Sequence, residues 1–213
     1  MQTKLIMVRH GYSKSNKAFR FTGHLNIELD ERGNAQAEKL GEYFKNHKID
    51  KLYSSDLIRA YDTAKPISKA TGLPIIADKR LREINGGEWE GKSFDELEKE
   101  YPNEYDVWIN DIGRAVCPGG ESMKELSNRI LNTVKELCEE NDKHTICIVT
   151  HGVAIRAVCT AAENLPFENM TEVPYVDNAS ISTFKYDNGE ITKETINYTE
   201  HLGQLYVKQQ GNV

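Results

Sequence analysis

Two stretches of the chain end in the same way, Val8-Arg9-His10-Gly11 and Val149-Thr150-His151-Gly152. In each, histidine closes a continuous apolar run and glycine follows it. A third run, Leu52-Tyr53, closes on Ser54-Ser55-Asp56, with Arg59 in the first turn of the helical pattern beyond. The residue types suit one kind of chemistry. A neutral imidazole is a nucleophile near pH 7, and a carbonyl can fix the N–H on its far nitrogen. The planar fork of arginine matches two phosphate oxygens. Glycine permits a sharp turn and lets backbone approach a ligand. Two histidines, two arginines and the free N–H groups of the helix starts that follow add up to a phosphate site with a nucleophile in it.

The elements around these junctions must bring them together. Leu5–Val8 and Thr145–Thr150 are unbroken apolar runs, as expected of strands covered on both faces. Leu52-Tyr53 and Leu73–Ala77 add two shorter strands. Helical periodicity marks Asp30–Phe44, a segment from Leu57 to about Gly72 that Pro66 should kink or limit, a long helix ending near Glu140, and a helix after His151. Ser93 to Glu96 and Ser122 to Glu125 both fit the S-x-x-E capping box. Asp187-Asn188-Gly189 sits between Ser180–Tyr186 and Glu190–Tyr198 as a hairpin turn. Leu81 to Gly91 is an irregular loop. Strands alternating with helices predict one α/β domain over residues 1–213, a three-layer sandwich whose central sheet is largely parallel and flanked by helices. Residues 93–118 stand out as an insertion and a candidate helical lid. Ligands in such sheets bind at the carboxyl ends of the strands, near a switch in strand order. All three junctions end there.

The 213 residues carry a formal charge of −6, with 28% charged residues, and the mean hydropathy is −0.61. No apolar stretch approaches the ~18 residues of a membrane span. The acidic balance disfavours nucleic acid, which needs a basic face. It leaves room for a small anion held by local arginines. No signal peptide is visible, and Cys117, Cys138, Cys147 and Cys159 show no C-x-x-C spacing, so a reduced, cytoplasmic setting is expected. No H-E-x-x-H or carboxylate cluster points to a metal, and no cofactor is expected.

The chain resembles the histidine phosphatase superfamily, the phosphoglycerate-mutase-like proteins. The matching blocks are Arg9-His10-Gly11 with Asn16, Asp30-Glu31-Arg32-Gly33 with Gln36-Ala37, and Tyr53 to Ala60 with Thr63-Ala64. They continue through Leu81-Arg82-Glu83-Ile84 with Gly87, Trp89, Glu90 and Gly91, then Pro118-Gly119-Gly120-Glu121-Ser122 and Val149 to Gly152. The resemblance implies that His10 attacks phosphorus and carries a transient phosphohistidine. Arg9, Arg59 and His151 would line the phosphate pocket, with Asn16 as a neutral donor and Thr22, Gly23 and Gly152 as further contacts. Glu83 would protonate the leaving alkoxide and then activate water. The same cations that favour a neutral His10 favour an ionised Glu83. Burial and the dianionic substrate must offset them, or water supplies the proton. Relatives include monomers and homodimers, and the expected partner is a small phosphorylated substrate.

The expected activity is metal-independent hydrolysis of a phosphomonoester, of a broad-specificity or α-ribazole-phosphate-like kind. The alternative is a cofactor-dependent phosphoglycerate mutase; a non-catalytic phosphate-binding module is a third reading. Mutases of this family resemble one another in R-H-G-E-S and R-H-Y-G segments. This chain has Arg9-His10-Gly11-Tyr12-Ser13, and Gly87-Glu88-Trp89-Glu90-Gly91 after Glu83, and it is shorter than the usual mutase. Tyr12 is expected to bias the pocket toward a larger or less polar leaving group. Plainer roles are also open. Arg59 could pair with Asp56 or Asp62, and Glu83 with Arg82. Arg20 and Arg82 could face solvent, and Trp89 and Trp108 could serve packing. His24, His47, His144 and His201 read as structural.

Overall fold

The computed structural model describes residues 2–208. Strand β1 (Gln2–Arg9) leads through the short helix α1 (Lys14–Lys17) to α2 (Glu31–Phe44), β2 (Lys51–Ser54), α3 (Ile58–Thr71) and β3 (Ile75–Ala77). Helices α4 (Phe94–Glu100), α5 (Pro102–Asn110) and α6 (Met123–Glu140) follow, then β4 (Thr145–Thr150), α7 (Gly152–Ala162) and the hairpin β5 (Ile181–Asp187) and β6 (Glu190–Tyr198). Single 3-10 turns punctuate the loops, including Lys79–Leu81, Gly87–Trp89 and Phe167–Glu172. No described helix is long and apolar enough to cross a membrane.

The sheet order is β3-β2-β4-β1-β5-β6. β1 to β4 run parallel, and the hairpin adds two antiparallel strands at one edge. The unbroken apolar runs are explained by layers on both sides. Leu5, Met7, Ile146 and Ile148 face one cluster with α6 and α7. Ile6, Val8, Cys147 and Val149 face the other, with Leu40, Phe44, Ala60, Ala64 and Ile67 of α2 and α3. Each fully buried aliphatic side chain contributes roughly 1.5–3 kcal/mol to this sandwich.

The predicted starts and stops have local causes. Asp30 caps α2 by accepting from the Gly33 amide at 2.8 Å. Both capping boxes form, at Ser93 and Ser122. Helix α3 continues through Pro66 to Thr71 and stops at Gly72, whose φ is 73°. Proline therefore neither ends nor limits this helix. The segment 93–118 is helical, with α4, α5 and a 3-10 turn at Ile112–Arg114.

Candidate active site

Register places the site. Arg9 pairs with Thr150 and Ser54 with Val149, so β2, β4 and β1, adjacent in the sheet, end at one level. The His10 amide donates to Thr150 O and the Ser55 amide to Val149 O, both at 2.9 Å. Three sequence-distant junctions thus share one crevice. The His10 and His151 rings meet edge to face with centroids 5.2 Å apart.

The loop after His10 is held by backbone contact. A Cβ on Gly33 would lie 2.0 Å from Tyr12 O, and one on Gly11 would lie 2.6 Å from Gly33 O. Only two bare backbones fit there, so the first turn of α2 presses directly on the loop. Thr63 Oγ1 accepts from the Gly11 amide at 3.0 Å and donates to Arg59 O at 2.7 Å, tying α3 to the same loop.

His10 Nδ1 lies 2.8 Å from Gly11 O. A ring nitrogen facing a carbonyl must carry the proton, so Nε2 holds the lone pair. Burial, then Arg59 and Arg9, hold His10 well below the usual imidazole range, against the opposing Gly11 bond. His151 is likewise lowered, by burial first and then by Arg59, His10 and Arg9. Both rings are neutral at pH 7.

Arg9 donates to Val176 O at 2.6 Å. Arg59 donates to Leu25 O at 2.9 Å and Gly23 O at 2.8 Å. Arg59 is 1% exposed, and among the described residues its Nε has no hydrogen-bond partner. Burial lowers Arg59 to about 10, and Glu83 opposes that shift. It remains a cation, and a buried cation without an ion pair is costly unless an anion joins it. The expected alternatives for these side chains fail: Asp56 pairs with Arg82 at 2.6 Å, leaving Arg59 to the carbonyls and Glu83 to the crevice.

The Glu83 carboxylate accepts from the Ile84 amide at 3.0 Å and the Val153 amide, in the first turn of α7, at 3.1 Å. The loop carrying it is braced from α6. Arg129 Nη1 donates to Arg80 O and Arg82 O at 2.8 and 2.9 Å, and Nη2 to Glu83 O at 3.2 Å. Its Nε and Nη2 also grip Glu121 at 2.9 and 2.7 Å, while Glu121 accepts from the Asn85 amide at 3.1 Å. The Pro118–Glu121 loop lies against Asn85–Gly87 backbone to backbone. A Cβ on Gly120 would sit 2.3 Å from Asn85 O, and one on Gly87, whose φ is +53°, 2.3 Å from Pro118 O. His24 Nε2–H donates to Glu83 O at 2.8 Å, so this histidine supports the site.

Arg9, His10, Asn16, Thr22, Gly23, Arg59 and Glu83 line a single pocket, with Phe21, Ile84, Phe94, Trp108 and Val153 as its apolar wall and Arg20 at its rim. Its cavity is about 60 Å³, several times the roughly 10–15 Å³ that one water needs. A phosphoryl group fits, and a leaving group must extend toward the mouth. Asn16 Oδ1 is taken by Ser13 and Asn178, which leaves Nδ2 as its donor. His151 is fully buried, with its ring set edge to face against that of His10. Gly152 lies under Arg9, where a Cβ would be 3.2 Å from its Cζ, so its bare backbone makes room for the guanidinium. Tyr12 lines a neighbouring groove rather than this pocket. Trp108 both packs and lines the pocket, while Trp89 is wholly core. Among the described residues, no three or more His, Cys, Asp or Glu side chains gather as a metal ligand set.

Residues not expected from the sequence complete the site. Asn178 Nδ2 donates to His10 O at 3.1 Å. Ser55 Oγ lies 2.9 Å from His151 Nε2. Both Asn178 and Val176 belong to the stretch before the final hairpin, where no spacing signals a function. Ser55 carried a signal, its place at the end of a strand beside two others.

Residues 5–199 match the model of the histidine phosphatase superfamily (branch 1). Phosphoserine phosphatase 1 of Hydrogenobacter thermophilus is 33% identical over 205 residues, 96% of this chain and 97% of its own. The solved structure of Bacillus stearothermophilus YhfR superposes with a TM-score of 0.89 at 29% identity, covering 94% of this chain and 99% of that one. A mycobacterial glucosyl-3-phosphoglycerate phosphatase, solved in complex with inorganic phosphate, gives a TM-score of 0.81 at 29% identity over 93% of this chain and 98% of its own. With the paired His-Gly junctions, the buried arginines and a matched stretch spanning nearly the whole chain, this protein belongs to the histidine phosphatase superfamily, branch 1.

Proposed function

We propose that the protein is a phosphoric monoester hydrolase that transfers the phosphoryl group of a small phosphorylated metabolite through His10 to water, without a metal. The observation that carries this reading is His10 itself. Its Nδ1–H is spent on Gly11 O, its Nε2 keeps the lone pair, and the ring is buried beside two arginines. Nε2 attacks phosphorus, the P–O bond to the leaving group breaks, and Glu83 gives the alkoxide its proton. Glu83 then takes a proton from the water that attacks the phosphohistidine, and Nε2 leaves with its electron pair. Arg9, Arg59 and Asn16 hold the equatorial oxygens, the positioning and charge stabilisation on which phosphoryl transfer depends.

Hydrolysis is favoured over a mutase by the phosphatase names of the relatives. The small cavity and apolar wall suit a leaving group that reaches the mouth without being enclosed. We assign helices α4 and α5 as the lid, because Phe94 and Trp108 of that insertion line the pocket. Four buried free thiols support a reducing, cytoplasmic setting.

The test is turnover of an aryl phosphate in excess chelator, with acid-labile phosphoenzyme trapped by rapid quench. Activity that persists with chelator and disappears, together with the phosphoenzyme, in His10→Ala is the expected result. Equal turnover in that variant rejects the mechanism. Isomerisation of 3-phosphoglycerate faster than phosphate release would replace it with the mutase.

A further inference from the structure

We propose that Ser55 fixes His151 as the tautomer protonated on Nδ1, making it a neutral hydrogen-bond donor to the transferring phosphoryl group. The proposal rests on the phosphatase reading only for the identity of the group that accepts the bond.

The argument is a count of protons and lone pairs in a dry site. Ser55 and His151 are both fully buried. Ser55 Oγ lies 2.9 Å from His151 Nε2 and accepts from the Leu57 amide at 3.3 Å. A hydroxyl has one proton to give. Among the described residues, the only acceptor within reach of that proton is His151 Nε2, and His151 Nδ1 has no partner. Two arrangements of a neutral ring are therefore possible. With the proton on Nε2, the ring donates to Ser55, the hydroxyl proton has no acceptor, and Nδ1 presents a bare lone pair to a site of arginines and an incoming anion. With the proton on Nδ1, Ser55 donates to Nε2, Leu57 donates to Ser55, and one donor is left over, Nδ1–H. The second arrangement satisfies every group but one, and that one is what a phosphoryl oxygen accepts from. The doubly protonated ring is opposed by its burial and by Arg59 and Arg9. A bare Nδ1 lone pair would instead repel the phosphate.

This assigns the two histidines opposite tasks from one chemical state. Both carry their proton on Nδ1. His10 has its Nδ1–H bound to Gly11 O, so its Nε2 attacks. His151 has its Nε2 bound to Ser55, so its Nδ1–H donates. Ser55 is a positioning residue, acting through His151. Its place is set by strand register, since its own amide donates to Val149 O at 2.9 Å, two residues before His151.

The experiment uses the whole protein labelled with 15N in its six histidines, read by two-bond 1H–15N correlation with and without inorganic phosphate, with His151→Gln for assignment. The expected wild-type spectrum has His151 protonated on Nδ1, with that proton moving downfield when phosphate is added. His151 protonated on Nε2 in the wild type overturns the proposal without any variant. In Ser55→Ala we expect Nε2–H to become populated and kcat/KM to fall about tenfold, the loss of one hydrogen bond. A variant with the wild-type tautomer and wild-type kcat/KM also overturns it. The spectrum does not depend on turnover. An active phosphatase with His151 protonated on Nε2 would sink this assignment and spare the phosphatase reading; an inactive protein protonated on Nδ1 would do the reverse.

Discussion

Replacing Arg129 should damage stability and chemistry by separable routes. The guanidinium spends its donors on the backbone carbonyls of Arg80, Arg82 and Glu83 and on both oxygens of Glu121. Arg129→Met removes all of them and leaves Glu121 largely uncompensated, with only the Asn85 amide. Breaking a buried ion pair from one side costs about 3–5 kcal/mol. Here the side chains keep 23% and 15% of their exposure, so water recovers part of it and about 2–3 kcal/mol is the reasonable loss. In a chain of this length that is a fall in Tm of about 5–10 °C. The chemical effect is different. The loop that frees itself carries Glu83, and a displacement of about 1 Å at a proton donor costs on the order of 10²-fold in rate. The loss should depend on the leaving group. An alkyl phosphate needs the proton and should lose about 10²-fold in kcat, whereas an acidic aryl phosphate leaves without it and should lose only a few-fold. Adding Glu121→Gln removes the stranded charge, so the double variant should regain Tm and not kcat. Differential scanning fluorimetry and steady-state rates with the two substrates decide the matter. Equal losses on both substrates would mean general loosening of the site, and an unchanged Tm would mean that the brace carries no energy.

Acid should destabilise the protein through its buried histidines. Burial lowers His201 to about 4, so below pH ~6.5 the unfolded chain binds a proton that the folded one refuses. Its contribution is complete above that pH and is lost toward pH 4 at about 1.4 kcal/mol per pH unit; urea midpoints should therefore fall less steeply over that window in His201→Phe, and parallel curves would refute the assignment. The thiols of Cys117, Cys138 and Cys159 are pushed up to about 12 by burial, and that of Cys147 is raised further. A disulfide reagent at pH 8 should label none of them in minutes while labelling all four in denaturant; fast native labelling would contradict the burial. Gly33→Ala would drive a Cβ to 2.0 Å from Tyr12 O and should lower Tm by more than 5 °C and activity with it, since the His10 loop must move; a variant of wild-type Tm and activity would mean that the two backbones can part at no cost.

What the sequence made legible follows from how local each cause is. Strands β1 and β4 were visible because both faces are covered, which forces unbroken apolar runs at Leu5–Val8 and Ile146–Val149. The capping boxes at Ser93 and Ser122 were visible because a cap is settled within four residues. The gathering of Arg9, Arg59 and His10 followed from a rule about strand ends, since parallel neighbours in register must finish together. The bonds that turn those ends into a site are not local. Arg129 stands between Leu126 and Ile130 of the α6 apolar stripe and looks like any polar interruption, yet it ties the Glu83 loop to Glu121. Val176 and Asn178 hold Arg9 and His10 from 167 and 168 residues away. The passage of α3 through Pro66 to Thr71 rests on a distant contact too. Gly41 lets α2 approach so closely that a Cβ there would lie 2.9 Å from Pro66, and packing of this kind can carry a helix through a proline that propensity alone would end. Chemistry-bearing residue types were thus readable one junction at a time. The proton positions that decide which imidazole attacks and which one donates depend on pairs, His10 with Gly11 and His151 with Ser55. Only the first of those pairs is adjacent in the chain; the second spans 96 residues and exists only once β2 and β4 lie side by side.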